Sequence, residues 1–273
     1  NGCYVSDNYS LLTALSGNLY NSYLLSAYDV YYGLMPQNPY EWPQTEYLFI
    51  DSGGYEINQS YETTERNKFN YHVEDWTSEK MEAIYKRVVG SAAFKNTTVV
   101  LSTFDCEGGF VDQLERAEAL QDLFPNAIVN FLVKIHFTVQ HLVSQITKHS
   151  DRLKRFQVLG FAEKELGQTV QERIYNLILI KRILLLNGWK GCIHLFGGLS
   201  PLLTKIYYFA GADIFDGLSW QRERYATDSG LIDPAFFDIS VSEQDNRFEM
   251  MLDNLDFICD MSSELAEHTD CAN

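Results

Sequence analysis

Cysteine is sparse and scattered in this chain: Cys3, Cys106, Cys192, Cys259 and Cys271 are odd in number and form no CxxC pair. That pattern excludes a disulfide framework and a clustered zinc site, and it points to a reducing compartment. Proline is also rare, with six in 273 residues, and no Pro/Gly/Ser-rich linker divides the chain. Positive charge is in deficit, since 21 Lys and Arg face 37 Asp and Glu, for a formal charge of −16 and a pI near 4.7. Such a chain is not expected to grip a phosphate backbone on its own. Long apolar runs are missing as well. The most apolar stretch, Leu177 to Leu186, is broken by Lys181 and Arg182, well short of the ~20 residues of a membrane span. The first 30 residues have no basic start leading into an apolar block, so no signal peptide and no membrane association are expected. The expected location is the cytoplasm.

What is present is core material. The chain is 46% hydrophobic, 14% aromatic and 21% charged, a profile of one compact domain, here taken as 1–273, and not of disorder, collagen or coiled coil. Short β-rich runs end in Gly, Asp or polar residues: Tyr47–Ile50, Thr98–Phe104, Ala127–Phe131, Phe156–Leu159, Cys192–Phe196 and Ala212–Phe215. Most lead into a helical pattern. Thr169-Val170-Gln171-Glu172 reads as a capping box, Val170, Ile174, Leu177, Ile178 and Leu185 as one apolar face, and Asn187-Gly188 as the stop. Ser200-Pro201 reads as an N-cap followed by Pro at the first helical position. Further helices are expected over Ser78–Val89, Asp112–Leu123, Val139–Lys148 and Glu243–Glu267.

Alternating strands and helices make a parallel sheet, and this length favours a (β/α)₈ TIM barrel over an open doubly wound sheet. A dinucleotide-binding sheet would also want GxGxxG after an early strand, and none occurs. An irregular N-terminal part, 1–46, and a long inserted loop, about 58–76, complete the expected α/β architecture.

Three aspartates sit where strands are expected to end: Asp51 in Asp51-Ser52-Gly53-Gly54-Tyr55, Asp105 after Phe104, and Asp216 after Phe215. In a barrel all strand C-termini share one face. Clustered carboxylates shift one another's affinity for protons, so one serves as acid or base while another stays ionised as nucleophile, as in glycosidic-bond chemistry. A single strand-end Asp also serves as a cap for the turn that follows. Three in one pattern favour chemistry. His194 alternates with Cys192 and Phe196 on one strand face and reads as a packed core histidine.

These residues resemble the tRNA-guanine transglycosylase family. The resemblance lies in the order of Asp51-Ser52-Gly53-Gly54-Tyr55, Phe104-Asp105, Gly160-Phe161-Ala162, Phe196-Gly197-Gly198-Leu199-Ser200-Pro201 and Gly211-Ala212-Asp213-Ile214-Phe215-Asp216. It runs from about Tyr47 to Arg224. It implies a (β/α)₈ barrel that exchanges guanine for a 7-deazaguanine base, a pentosyltransferase needing no cofactor. Asp216 matches the family's nucleophile and Asp51 its general acid/base. Asp105 matches the aspartate that accepts from the purine N1–H and exocyclic amine, both of which need an acceptor. Gly160, with Phe161 beside it, matches the backbone that faces the base carbonyl, and Ser52, Gly53, Gly197 and Gly198 would line the pocket.

The chain also departs from the family. The CxCxxC and later His that bind structural zinc in the tRNA enzymes are missing, leaving only Cys259 and Cys271 in that region, so no metal is expected. The family's Gln-Gly pair is replaced by a run ending in Lys134, the usual Gln after the DSGG motif is Glu56, and the usual Cys after the nucleophile is Gly217. A shorter paralogue group that inserts 7-deazaguanines into DNA is the nearest resemblance, and similar proteins occur in bacterial antiviral defence gene sets. The expected partners are therefore guanine or a 7-deazaguanine, and a nucleic acid met through a basic partner protein, with a homodimer compatible. The alternative is a barrel that binds a deazapurine or a partner without turnover.

Overall fold

The structure, a computed structural model, describes residues 21–54, 74–105, 108–135, 138–217, 219–221, 223–225, 232–233 and 243–270. Seven strands form one sheet in chain order: β1 (Ser22–Ser26), β2 (Tyr47–Asp51), β3 (Thr98–Ser102), β4 (Ile128–Leu132), β5 (Val158–Ala162), β6 (Cys192–Phe196) and β7 (Ile214–Phe215). The pairings β1/β2, β2/β3, β3/β4 and β6/β7 are parallel. Two compact units share the chain, Asn1–Leu132 with Phe156–Val158, and Val133–Arg155 with Leu159–Asn273.

In the first unit, β3 and β4 are buried along almost their whole length, as expected for parallel strands covered on both faces. β1 falls in the stretch expected to be irregular, yet it pairs with β2 residue for residue, from Ser22 opposite Tyr47 to Ser26 opposite Asp51. Helix α1 (Ala27–Tyr31) follows it and packs on α2 (Ser78–Val89). The Oγ1 of Thr77 caps α2 by accepting the Lys80 N–H, and Met81, Ile84, Tyr85 and Val88 form its buried face at helical spacing. Helix α3 (Phe110–Leu123) starts where Asp112 accepts the Gly109 N–H at 3.0 Å. Aromatic rings knit this core: Phe131 lies 5.3 Å from Phe156 and 6.1 Å from Phe110, ring centre to ring centre. The expected inserted loop is described only at Glu74, Asp75 and Trp76; the rest of it, with residues 1–20 and the positions Tyr55, Glu56, Cys3, Cys106 and Cys271, lies outside the described residues.

In the second unit come α4 (Val139–Lys148), α5 (Ser150–Leu153), α6 (Val170–Leu186), α7 (Leu203–Phe209), the short antiparallel pair β8 (Arg224–Tyr225) and β9 (Ile232–Asp233), and α8 (Glu243–Asp270). The capping box is formed: Thr169 Oγ1 accepts the Glu172 N–H and Glu172 Oε2 accepts the Thr169 N–H, both at 3.2 Å. The buried face of α6 is Leu177, Ile180 and Leu184, whereas Val170, Ile178 and Leu185 are exposed. This helix is apolar nearly all round, so its sequence names no single face, and packing on α4 and α7 selects one. Helix α7 begins at Leu203 and not at Pro201, because Thr204 Oγ1 accepts the Ser200 N–H at 2.8 Å and holds Ser200-Pro201-Leu202 as a turn.

An eight-stranded closed barrel is not what the described residues form. Their large sheet has seven strands in linear order with β1 and β7 at its ends, and the strand segments after β7 pair with each other. Beyond Gly217, the described Ser219–Gln221 forms a 3₁₀ turn. Among the described residues no helix is long and apolar enough to cross a membrane.

One contact under the first unit's strand ends is open to direct test. The hydroxyl of buried Tyr85 donates to the Ser102 carbonyl at 2.6 Å and lies 3.3 Å from the Ile50 carbonyl, bridging β3 and β2. Burial first, and the Asp51 carboxylate second, push this phenol well above its ordinary pKa, so it remains a donor. Tyr85→Phe is expected to cost about 1–3 kcal/mol, because buried carbonyls lose their partner; urea unfolding of the variant checks it.

Candidate active site

The loop leaving β2 is built around one carboxylate. Asp51 Oδ2 accepts the Gly53 N–H at 3.0 Å, and buried Ser52 Oγ accepts the Gly54 N–H at 3.2 Å. The Ser52 carbonyl accepts from the Trp76 indole at 2.9 Å, so the described end of the expected insertion is tied to this loop. Gly53 has φ +70°, and a Cβ there would sit 2.5 Å from the Tyr28 Cβ. Gly54 has a different reason to be glycine. A Cβ on it would meet the Asp105 Cβ at 2.6 Å and the Asp105 backbone at 2.9 Å. The structure therefore brings Asp105 against the loop that carries Asp51, and both side chains are half-buried. Below Asp105 the strand end is pinned, since the Thr103 N–H donates to the Asn130 carbonyl and Thr103 Oγ1 accepts the Leu132 N–H, each at 3.0 Å.

In the second unit the same motif recurs on different elements. Asp216 Oδ1 accepts the Gly197 N–H at 2.5 Å, and the Asp216 carbonyl accepts the Leu199 N–H at 2.8 Å. The end of β7 thus holds the turn after β6. Gly197 has φ +72° with open space where a side chain would be, whereas a Cβ on Gly198 would meet Leu195 Cδ2 at 2.8 Å. Gly197 is a conformational requirement and Gly198 a packing one. The Asp216 side chain keeps 24% of its surface exposed, enough for a ligand to reach it.

Gly160 is buried, and its carbonyl is used by the sheet, accepting the Val133 N–H at 2.8 Å. Phe161 is fully buried and offers no surface to a ligand. The residues just after them form two ion pairs that sequence reasoning passed over. Glu163 takes Arg173 at 2.6 Å and the Tyr207 hydroxyl at 2.6 Å, which raises the Tyr207 phenol, already raised by burial. Glu165 takes Lys134 at 2.6 Å through Oε1 and the Ile135 N–H at 3.1 Å through Oε2. Lys134, conspicuous as a departure from the family, is thereby half of a structural pair. The available signal was Glu163-Lys164-Glu165 directly following the Gly160-Phe161-Ala162 motif.

His194, read as a core residue, is in the core and also beside the candidate nucleophile. It is 1% exposed, its ring stacks on Phe196 at 4.0 Å and 28°, and its Nε2 stands 3.9 Å from Asp216 Oδ2. The register supplies the reason: His194 lies opposite Ile214, and residues two apart on a strand share a face, so His194, Phe196, Ile214 and Asp216 share one. Burial lowers the imidazole from 6.5 to about 3, so it is neutral in ordinary buffers.

No protein-family model matches the chain, and no curated protein matches it. The candidate chemistry rests on these groups. They offer two half-buried carboxylates on adjoining loops of the first unit, and in the second a carboxylate about a quarter exposed and oriented by a backbone amide. No three of His, Cys, Asp and Glu gather as a metal site among the described residues.

Two outcomes follow from this geometry. Gly197→Ala should cost about 1–2 kcal/mol from the left-handed backbone, with Gly197→Asn recovering part of it, whereas Gly54→Ala should be worse than either because backbone atoms, not torsion, oppose it; thermal unfolding of the three variants gives the order. The second outcome concerns acid. Between pH 6.5 and 3 the unfolded chain binds a proton at His194 that the native chain excludes, so this stability is complete above 6.5 and is lost as pH falls. From pH 7 to pH 5 the wild type should lose about 2 kcal/mol more than His194→Phe in urea unfolding.

Proposed function

We propose that the chain is a base-exchange transglycosylase, a pentosyltransferase on a variant of the (β/α)₈ plan, which replaces guanine by a 7-deazaguanine in a nucleic acid, DNA in the first place, with the help of a basic partner protein. The observation that carries this reading is the state of Asp216: a strand-end carboxylate a quarter exposed, with Oδ1 fixed by the Gly197 amide at 2.5 Å. A nucleophile needs that combination of access and orientation.

Asp216 attacks the anomeric carbon and the guanine leaves, its departing nitrogen taking a proton from Asp51. The sugar is then held as an ester of Asp216. The incoming base gives up its ring proton to Asp51, attacks the same carbon and frees Asp216, so no external energy source is consumed. Asp105 accepts from the purine's N–H groups, a task for an acceptor-only side chain. Support for the base-recognition role comes from the loop contact, where the missing side chain of Gly54 lets Asp105 lie against the loop that carries Asp51. A chain at −16 is repelled by a polyanion, which is why a basic partner enters the proposal. The scattered cysteines, odd in number and without a CxxC pair, support a cytoplasmic location for this enzyme.

The test is exchange of labelled guanine into DNA and into tRNA, with and without candidate basic partners, together with intact-mass detection of a sugar ester on the chain. Asp216→Asn should abolish exchange and the ester while leaving base affinity within a few-fold. Asp105→Ala should weaken base binding by about 1–3 kcal/mol. Base binding with neither exchange nor ester in any combination would replace the enzyme by a deazapurine-binding module, and tight, salt-sensitive binding of the isolated chain to either polymer would remove the partner.

A further inference from the structure

Asp216 has two oxygens in two environments. Oδ1 lies on the Gly197 amide at 2.5 Å, and Oδ2 faces the His194 Nε2 at 3.9 Å. The imidazole is sealed from water, with 1% of its side chain exposed and the Phe196 ring stacked over it at 4.0 Å. Strand pairing holds it there, because β6 and β7 are in register at His194 and Ile214, and the Leu199 N–H clamps the Asp216 carbonyl at 2.8 Å. Neither backbone is free to slide. The Gly197 amide anchors Oδ1, and the plane the carboxylate takes about that anchor decides where Oδ2 points.

We propose that His194 is a positioning residue for Asp216, carrying its proton on Nε2 and donating it to Oδ2 once a ligand settles against the carboxylate. The proposal rests on the reading of Asp216 as nucleophile. The gap of 3.9 Å is about 1 Å longer than a hydrogen bond, and catalytic hydrogen bonds that are long in the empty protein shorten in the complex. A neutral donor suits this place better than a cation. An imidazolium would form an ion pair with the carboxylate and quench its nucleophilicity, whereas a neutral N–H fixes the plane of the carboxylate and leaves its charge for the sugar. Burial supplies that neutrality, as His194 stays uncharged down to about pH 3. A histidine that served only to fill the core would place no such demand on its tautomer.

Ring-¹⁵N NMR of the full chain tests the pairing without any need for activity. An Nε2–H tautomer whose signals shift in Asp216→Asn is expected; an Nδ1–H tautomer with bare Nε2 overturns the proposal whatever the enzyme does. The exchange assay tests the consequence. His194→Leu should lower kcat on the order of 10- to 100-fold at unchanged KM, since misplacing a reacting group by about 1 Å costs up to about 100-fold. His194→Gln, which restores an N–H donor, should recover most of it, with thermal unfolding showing that both variants fold. Equal activity of the Leu and Gln variants would reduce His194 to packing. A wild type with the Nε2–H tautomer but no exchange on any polymer would strike the transglycosylase reading and leave the pairing of His194 with Asp216 standing.

Discussion

A carboxylate that accepts a backbone N–H at the end of a parallel strand is the interaction on which the rest of this molecule turns. Asp51 takes the Gly53 amide, Asp216 takes the Gly197 amide, and Asp213 takes the Ile193 amide at 2.8 Å while its Oδ2 also meets Lys181 at 2.8 Å. A strand that ends leaves amides without a ladder partner, and water or a side chain must receive them. Aspartate is short enough to do so without a long, floppy stem. The choice has a chemical by-product: a carboxylate already oriented by the fold needs little reorganisation to act on a ligand.

Glycine serves these loops for three separate reasons. Gly53 and Gly197 adopt left-handed backbone, Gly54 makes room for Asp105, and Gly198 makes room for Leu195. Gly197, with open space at its Cβ position, tolerates asparagine at some cost; Gly53, whose Cβ would meet Tyr28, and Gly54 oppose any side chain. A sequence motif of paired glycines hides this difference, which only the neighbours reveal.

The elements that were legible in the sequence are those whose signals are local. Helices over Ser78–Val89 and Val139–Lys148 and the strand Cys192–Phe196 stand where expected to the residue, and the Thr169–Glu172 capping box is formed. What escaped depends on distant parts of the chain. Strand β1 has no flanking helix pattern of the usual length and is recognised by its partner β2. The face of α6 is chosen by its neighbours, since apolar residues surround it. The number of strands in the sheet is set by pairing and not by any one segment. In the candidate site the aspartates and glycines were visible because turn chemistry is written in residue type. The approach of His194 to Asp216 was not, because it arises from the register of β6 against β7. Glu163 and Glu165 were hidden by being ordinary surface residues in type and partly shielded ion-pair partners in fact.

The Lys134–Glu165 pair carries an evolutionary consequence. Both oxygens of Glu165 are engaged, one by the Lys134 ammonium and one by the Ile135 amide, and both side chains are largely shielded from water, at 20% exposure each. Loss of either charge alone deprives the other of this ion pair in a partly desolvated place. Substitution at one position is therefore expected to change the cost of substitution at the other, so the two positions are coupled through inheritance.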